Sequence, residues 1–261
     1  MNIVTTTMPD AWVDTHLRRW RWLIHCHMPK ARCFLIIVRN QFNRDQVDAV
    51  LAKVKPRFAS IAVVDEQPTP GCMVSNDLLR AMAIDIFALK DVLYIDADID
   101  VVQSIERVPE LSAEDLLWTF ASERHGYILS ALRAFSLPVA EPDVEPGVLF
   151  MRKSCAKAYV DIANSGKIAM GVMNPSVAIW NVLVRLHTST CKLPYSYNVP
   201  YAAFERTYEV HMAHFGGPTA KSCRPFYHFE HGFARRSYIR ACDADGLDWG
   251  PEWHSTRWRS M

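Results

Sequence analysis

Apolar positions in this chain gather into short continuous runs, and between the runs they recur at helical spacing. Residues 3–6 read as a first strand that ends in a polar turn. A helix is predicted over about residues 11–26, followed by a strand in "CFLIIV" (33–38), a helix over about 44–53 and a third strand at 60–64. Ser75 or Asn76 is a good N-cap for a helix through Leu89, and "VLYI" (92–95) follows as a strand. Strands made of continuous apolar runs are covered on both faces, and their alternation with helices indicates an α/β fold with a mostly parallel sheet flanked by helices. Ligands of such sheets bind beyond the carboxyl ends of the strands.

Further on, residues 116–121 and 148–151 read as strands and 155–164 and 175–186 as helices. Residues 121–146, rich in proline and charge toward their end, read as an irregular insertion. After Gly217 the periodicity fades. There is no internal repeat and no low-complexity segment.

The 261 residues, 50% hydrophobic and 22% charged, suffice for one large domain with a modest appendage. A net charge of +1 gives no global attraction to nucleic acid, membrane or acidic partners, so electrostatic recognition is expected to be local. Seven cysteines without a C-x-x-C pair suit a reducing compartment. The opening "MNIVTTTMPDAW" has no signal-peptide pattern, and no apolar run approaches the roughly 18–20 residues that cross a bilayer. A cytoplasmic protein without a transmembrane segment is expected.

The stretch "DVLYIDADIDVV" (91–102) places Asp96, Asp98 and Asp100 directly after a buried strand. In an extended segment residues i and i+2 project to one side, so Asp96 and Asp98 are expected to converge, with the small Ala97 between them. Converging like charges repel unless a cation joins them. Carboxylate oxygens favour Mg²⁺ or Mn²⁺, whose open positions take phosphate oxygens. On the residues alone, a solvated acidic turn and such a clamp are both compatible. Asp100 is expected to lie behind the ligands or to face solvent.

"VLYIDADIDVV" resembles the D-x-D segment of the GT-A glycosyltransferases, most closely the family 8 group that includes glycogenin and the galactosyltransferases of lipopolysaccharide. Three more stretches agree in order and spacing. "LLRAMAIDIFALKDVLYIDAD" resembles the helix leading into that motif, with Arg80 at its basic position. "PGVLFMRK" (146–153) resembles the family's Asn-Ala-Gly-Val-Leu strand. "LPYSYNV" followed by "VHMAHFGGPTAK" resembles its Leu-Pro, Tyr-Asn and His-Phe-x-Gly-x-x-Lys-Pro-Trp sequence.

The resemblance covers residues 3–226. It implies a GT-A domain over 1–226 with a C-terminal extension over 227–261. It further implies that Asp96, Asp98 and His214 hold Mn²⁺ or Mg²⁺, which carries the diphosphate of a nucleotide-sugar donor, expected to be UDP-linked. Lys221 would meet the phosphates, Gly216 and Gly217 would allow close backbone approach, and Thr5, Thr6 and Thr7 would lie by the nucleoside. Arg80 and Ala97 would line the donor site. The implied reaction is transfer of the sugar to an acceptor hydroxyl with retention, Asp98 serving it through the metal.

Departures from the family pattern bear on the details. Lys221 stands four residues past Gly217, and Arg224-Pro225-Phe226 has the Lys-Pro-Trp look, so either base is a candidate phosphate ligand. Glu145-Pro146 replaces Asn-Ala; Glu145 is a candidate for contacting sugar hydroxyls or acting on the acceptor, against its reading as a surface residue of "EPDVEP". Ser176-Val177-Ala178 stands where the family has an Asp-Gln-Asp segment that touches donor sugar and acceptor. A non-catalytic nucleotide-binding module is therefore the alternative to an enzyme. A nucleotidyltransferase, which also pairs aspartates around a metal, should carry an N-terminal Gly-rich basic loop, and "TTTMPDAW" has none.

The histidines 211, 214, 228 and 231, with Cys223, fit no common zinc module. His25-Cys26-His27 with Cys33 reads as the end of a packed helix. Of three basic-aromatic stretches, "LRRWRW" (17–22) reads as core through Trp20 and Leu23. "FARRSYIR" (233–240) and "WHSTRWRS" (253–260) are candidates for binding a polyanionic acceptor such as nucleic acid or lipopolysaccharide, or a membrane surface.

Overall fold

The computed structural model describes residues 1–8, 13–40, 43–54, 57–66, 68–69, 72–73, 76–121, 126–139, 142–168, 175–187, 189–200, 202–203, 210–216, 227–230 and 233–236. In chain order the elements are β1 (Asn2–Thr7), α1 (Val13–His27), β2 (Arg32–Arg39), α2 (Arg44–Val54), β3 (Ser60–Asp65), β4 (Pro68–Thr69), β5 (Cys72–Met73), α3 (Asn76–Phe87), β6 (Val92–Ile95) and β7 (Ile99–Val101). There follow β8 (Leu116–Phe120), α4 (Gly126–Ala134), β9 (Val144–Met151), α5 (Ala156–Ala163), α6 (Pro175–Leu186), β10 (Thr190–Lys192), β11 (Val199–Pro200), β12 (Met212–His214), β13 (Tyr227–Glu230) and β14 (Phe233–Arg236).

A seven-stranded sheet in the order β10-β8-β9-β6-β1-β2-β3 forms the frame. The pairs β1–β2, β1–β6, β2–β3 and β10–β8 are parallel, while β9 runs antiparallel to both β6 and β8. The α/β, mostly parallel arrangement is as the apolar runs imply. The reversal of β9 has no signature in its sequence, because a strand buried on both faces reads the same in either direction.

Alternation assigns the two faces. Val4, Ile36, Tyr94, Trp118 and Leu149 pack with α3, α4, α5 and α6. Ile3, Leu35, Leu93, Leu117 and Phe150 pack on the other side with Leu17, Trp20 and Ile24 of α1 and Val47, Val50 and Val54 of α2. Trp20 is buried as expected and Leu23 half-buried. A second sheet, β11-β12-β7, lies beside the first, and β13 and β14 pair with each other as a hairpin.

One expectation fails. Residues 121–146 contain a helix, α4, and the start of β9. Ile128, Ala131 and Leu132 form the buried stripe of α4 at i, i+3 and i+4, a short signal masked by the prolines that follow. Among the described residues no helix is long and apolar enough to cross a membrane.

Candidate metal and nucleotide site

Asp96 follows β6 at the carboxyl edge of the large sheet. Its amide donates to the carbonyl of Gly147 on β9 at 2.9 Å. The chain then turns rather than staying extended: the Ile99 amide donates back to the Asp96 carbonyl at 3.0 Å. Convergence of Asp96 and Asp98 thus comes from a turn, not from the i, i+2 alternation of a strand. The turn delivers the chain into β7, which pairs antiparallel with β12 and sets Ile99 opposite His214. The Phe215 amide closes this ladder on the Asp98 carbonyl at 3.0 Å.

Asp96, Asp98 and His214 each present a ligand atom, and these atoms lie within 4.8 Å of one another. His214 Nε2 is 3.6 Å from Asp98 Oδ1. The sequence expectation of a three-residue cluster is met in geometry. Two glycines leave room for it. A Cβ on Gly147 would stand 3.2 Å from Asp96 Oδ2 and 3.4 Å from His214 Cε1, and a Cβ on Gly216 would stand 3.1 Å from His214 Nε2.

Behind the cluster, Asp96 is held by a buried network. Tyr94 donates its hydroxyl to Asp96 Oδ1 at 2.7 Å. With that proton committed, Thr6 Oγ1 donates to the Tyr94 oxygen, also at 2.7 Å. Arg80 donates from Nη2 to Asp96 Oδ2 at 3.0 Å, reaches Asp77 Oδ1 at 2.8 Å and lies 5.1 Å from the centroid of the Tyr94 ring. Burial pushes the Asp96 carboxyl up to about 6; Asp98 adds to the rise, while Arg80 and His214 oppose it. Burial and the Asp96 charge raise Tyr94 far above its ordinary value, so its hydroxyl stays protonated. Burial would lower Arg80, but Asp77 and Asp96 outweigh it and hold the guanidinium charged.

Thr5, Thr6 and Thr7 end β1, the neighbour of β6, and all three are buried. Ala97 is half-buried between the two aspartates. Glu145 is half-buried near the start of β9 and reaches the same sheet edge because that strand runs backwards, yet it stays outside the three-residue cluster. The β8–β9 register slips here, from Trp118 opposite Leu149 to Thr119 opposite Glu145. Pro146, with no N–H to pair, suits such a bulge. Thr119 donates to the Glu145 carbonyl at 2.8 Å and accepts from Asn198 Nδ2 at 3.0 Å. Gly217, Lys221 and Arg224 lie outside the described residues.

Of the two places expected for Asp100, the buried one is realised. It does not face solvent: it is fully buried and paired with Arg19 of α1, whose Nε stands 2.8 Å from Asp100 Oδ2. Asp77, Tyr94, Gly147 and Arg19 escaped the sequence reading. Tyr94 alone had a local signal, a hydroxyl set in an otherwise aliphatic strand next to an aspartate.

No protein-family model matches the sequence, and no curated protein matches it in sequence. Solved structures resemble it. A galactosyltransferase, LgtC, in complex with donor and acceptor sugar analogues matches at a TM-score of 0.62 and 17% identity, over 88% of this chain and 91% of that one. The bifunctional glycosyltransferase WbbM matches at 0.58 and 12%, over 84% of this chain and 46% of that one. The glycosyltransferase GlyE of Streptococcus pneumoniae matches at 0.52 and 16%, over 97% of this chain and 63% of that one. At these identities the likeness establishes architecture, and the architecture is the GT-A fold.

Proposed function

We propose that the protein is a metal-dependent glycosyltransferase, moving a sugar from a nucleotide-diphosphate donor, UDP-linked, to an acceptor hydroxyl. The observation that carries this reading is the convergence of Asp96, Asp98 and His214 within 4.8 Å at the carboxyl edge of a GT-A sheet. The donor set fits a divalent ion. Two carboxylates and an imidazole suit Mn²⁺ well, with Mg²⁺ the harder alternative. The raised Asp96 carboxyl marks a site where negative charge is crowded and burial is costly, a condition that a cation relieves.

When bound, the ion supplies positive charge for the diphosphate that leaves the sugar. The chain's own residues do the rest. Tyr94 fixes the Asp96 carboxylate through Oδ1, Arg80 Nη2 lies 2.9 and 3.0 Å from its two oxygens, and Thr6 fixes Tyr94 in turn. Thr5 to Thr7 end the strand beside the nucleoside, while Gly216 and Gly217 allow the backbone near the phosphates. Lys221 or Arg224 meets the phosphate oxygens, and Ala97 leaves space over the turn.

Glu145, at the same edge, orients a sugar or acceptor hydroxyl. Retention follows if the acceptor attacks on the face that the diphosphate leaves, with a departing phosphate oxygen taking the acceptor proton. Product anomer analysis tests that stereochemistry, and an inverted product would exclude it. The domain is assigned to residues 1–226. Residues 227–261 are assigned to the acceptor, a polyanion such as nucleic acid or lipopolysaccharide, and salt-dependent retention on heparin or DNA tests this.

One observation favours a second reading. The first turn of α6 carries no carboxylate, and Ser176-Val177-Ala178 occupies it. A nucleotide-binding module without turnover would tolerate that composition. Thermal stability with UDP-sugars, with and without Mn²⁺, decides between the outcomes. A native-state ligand raises the melting temperature by mass action. The expected result is a metal-dependent shift with one donor, lost in His214→Ala, together with transfer that Asp98→Asn abolishes. A shift without transfer or hydrolysis supports the module, and no shift with any nucleotide-sugar overturns both readings.

A further inference from the structure

The three metal-ligand candidates come from two different sheets and the turn between them. Asp96 is anchored to the large sheet, by its place after β6 and by its amide bond to Gly147. Asp98 stands in the turn that joins the two sheets, and His214 is set by the small sheet. His214 closes β12 opposite Ile99, and Asp98 receives the Phe215 amide at the end of the same ladder. A second bond, from the Val102 amide to the His211 carbonyl at 2.9 Å, extends the ladder at its other end. The spacing of the cluster therefore depends on how the small sheet is fixed relative to the large one.

α1 connects them. Its apolar stripe of Leu17, Trp20 and Ile24 packs on the large sheet against Ile3 and Leu35. One residue before Trp20, Arg19 turns to β7. Its Nε and Nη2 both reach Asp100 Oδ2, the former at 2.8 Å, with the two side chains 6% and 0% exposed. Asp100 is the central residue of β7 and stands opposite Ala213, the neighbour of His214.

Burying a carboxylate and a guanidinium is costly, and well-packed apolar residues often serve stability as well or better. What the pair adds is direction: a charge-assisted fork admits a narrow range of placements, which aliphatic packing does not impose. We infer that Arg19 and Asp100 are positioning residues, a buried lock that holds β7 against α1 and so sets His214, carried on the same small sheet, at metal-binding distance from Asp96.

The inference rests on the metal reading above, and the test separates the two. The main variant is the double substitution Arg19→Met with Asp100→Leu, which removes both charges and keeps the volume apolar. Mn²⁺ affinity is measured without nucleotide by electron paramagnetic resonance of free Mn²⁺. Amide hydrogen exchange is followed at Val102 and Phe215, with β1 and β6 as internal reference. The expected result is a folded variant with Mn²⁺ affinity at least tenfold weaker and exchange at Val102 and Phe215 at least tenfold faster, β1 and β6 unchanged.

Arg19→Lys, which keeps the charge and loses the fork, is expected to fall between wild type and the double variant, and it is the variant read if the double variant does not fold. Unchanged Mn²⁺ affinity in a folded variant overturns the lock. If the wild type takes up no Mn²⁺, the metal reading fails and exchange alone decides. Selective acceleration at Val102 and Phe215 then upholds the lock between sheets, and none overturns it.

Discussion

Asp96 keeps its proton to higher pH than an ordinary carboxyl because burial, reinforced by Asp98, outweighs Arg80 and lifts it from 3.8 to about 6. In the metal-free protein the folded state then binds more protons than the unfolded chain between those values. This group's contribution to stability is present near pH 4 and is lost as the pH rises through about 6. A metal needs the ionised carboxylate, so Mn²⁺ should stabilise the protein strongly at pH 7.5 and weakly at pH 5. Equal Mn²⁺-induced shifts in melting temperature at the two pH values would show that Asp96 is not a ligand. At Gly147 the prediction is steric. Gly147→Ala brings a methyl 3.0 Å from Ile99 Cδ1 and 3.2 Å from Asp96 Oδ2, so Ile99 and the Asp96 carboxylate must each give by a few tenths of an ångström. Mn²⁺ affinity should fall about tenfold, the equivalent of ~1.4 kcal/mol, with a smaller effect on the melting temperature; titration calorimetry reads the first directly. The aspartates were legible because their spacing and the preceding strand are local, and His214 because a resembling motif carried it. Gly147 and Tyr94 were not, because their roles depend on which atoms a neighbouring strand or helix brings to them.

At the scale of elements, α6 matches its sequence expectation over 175–186, since its apolar stripe is uninterrupted. The segment before it shows what pattern reading loses. The start of β9 is fixed by α6 rather than by its own composition. Asn181 Oδ1 accepts the Val144 amide at 2.8 Å, and its Nδ2 donates to the Val177 carbonyl at 2.9 Å. Arg185 then bridges Asn181 Oδ1 and the Pro142 carbonyl, each at 3.0 Å. Nothing in "EPDVEP" announces a strand whose first amide is satisfied by a side chain 37 positions away. Asn181→Leu keeps the volume but leaves the Val144 amide buried without its partner. The expected cost is about 1–3 kcal/mol, read as a lower urea midpoint with an unchanged slope. Because Glu145 follows Val144, Asn181→Leu should also weaken any step that Glu145 serves; full stability in this variant would remove α6 as the anchor of β9.

Taken as one molecule, the chain divides the work between a frame that its apolar runs encode and a small sheet that they do not. The inner strands of the large sheet, β1, β2, β6, β8 and β9, are buried along most of their length, so its existence was legible, while the edge strands β3 and β10 hold no buried residue. The small sheet pairs β7 with β12 across more than a hundred positions, and three-residue strands carry no period of their own. The same reasoning bears on the C-terminal end. The β13–β14 hairpin pairs with itself and joins neither the seven-stranded nor the three-stranded sheet. Both of those sheets, and helices α1 to α6, lie within residues 1–216. Removing residues 227–261 should therefore leave every ladder bond of those sheets in place. The melting temperature should stay within a few degrees of the full chain, and the Mn²⁺-dependent shift with a UDP-sugar should persist. Transfer to acceptor should fall while donor hydrolysis continues, if the basic and aromatic residues of 233–260 hold the acceptor. A truncated chain that unfolds would move the domain boundary past residue 226, and one that transfers at the full rate would return the acceptor site to the sheet edge beside Glu145.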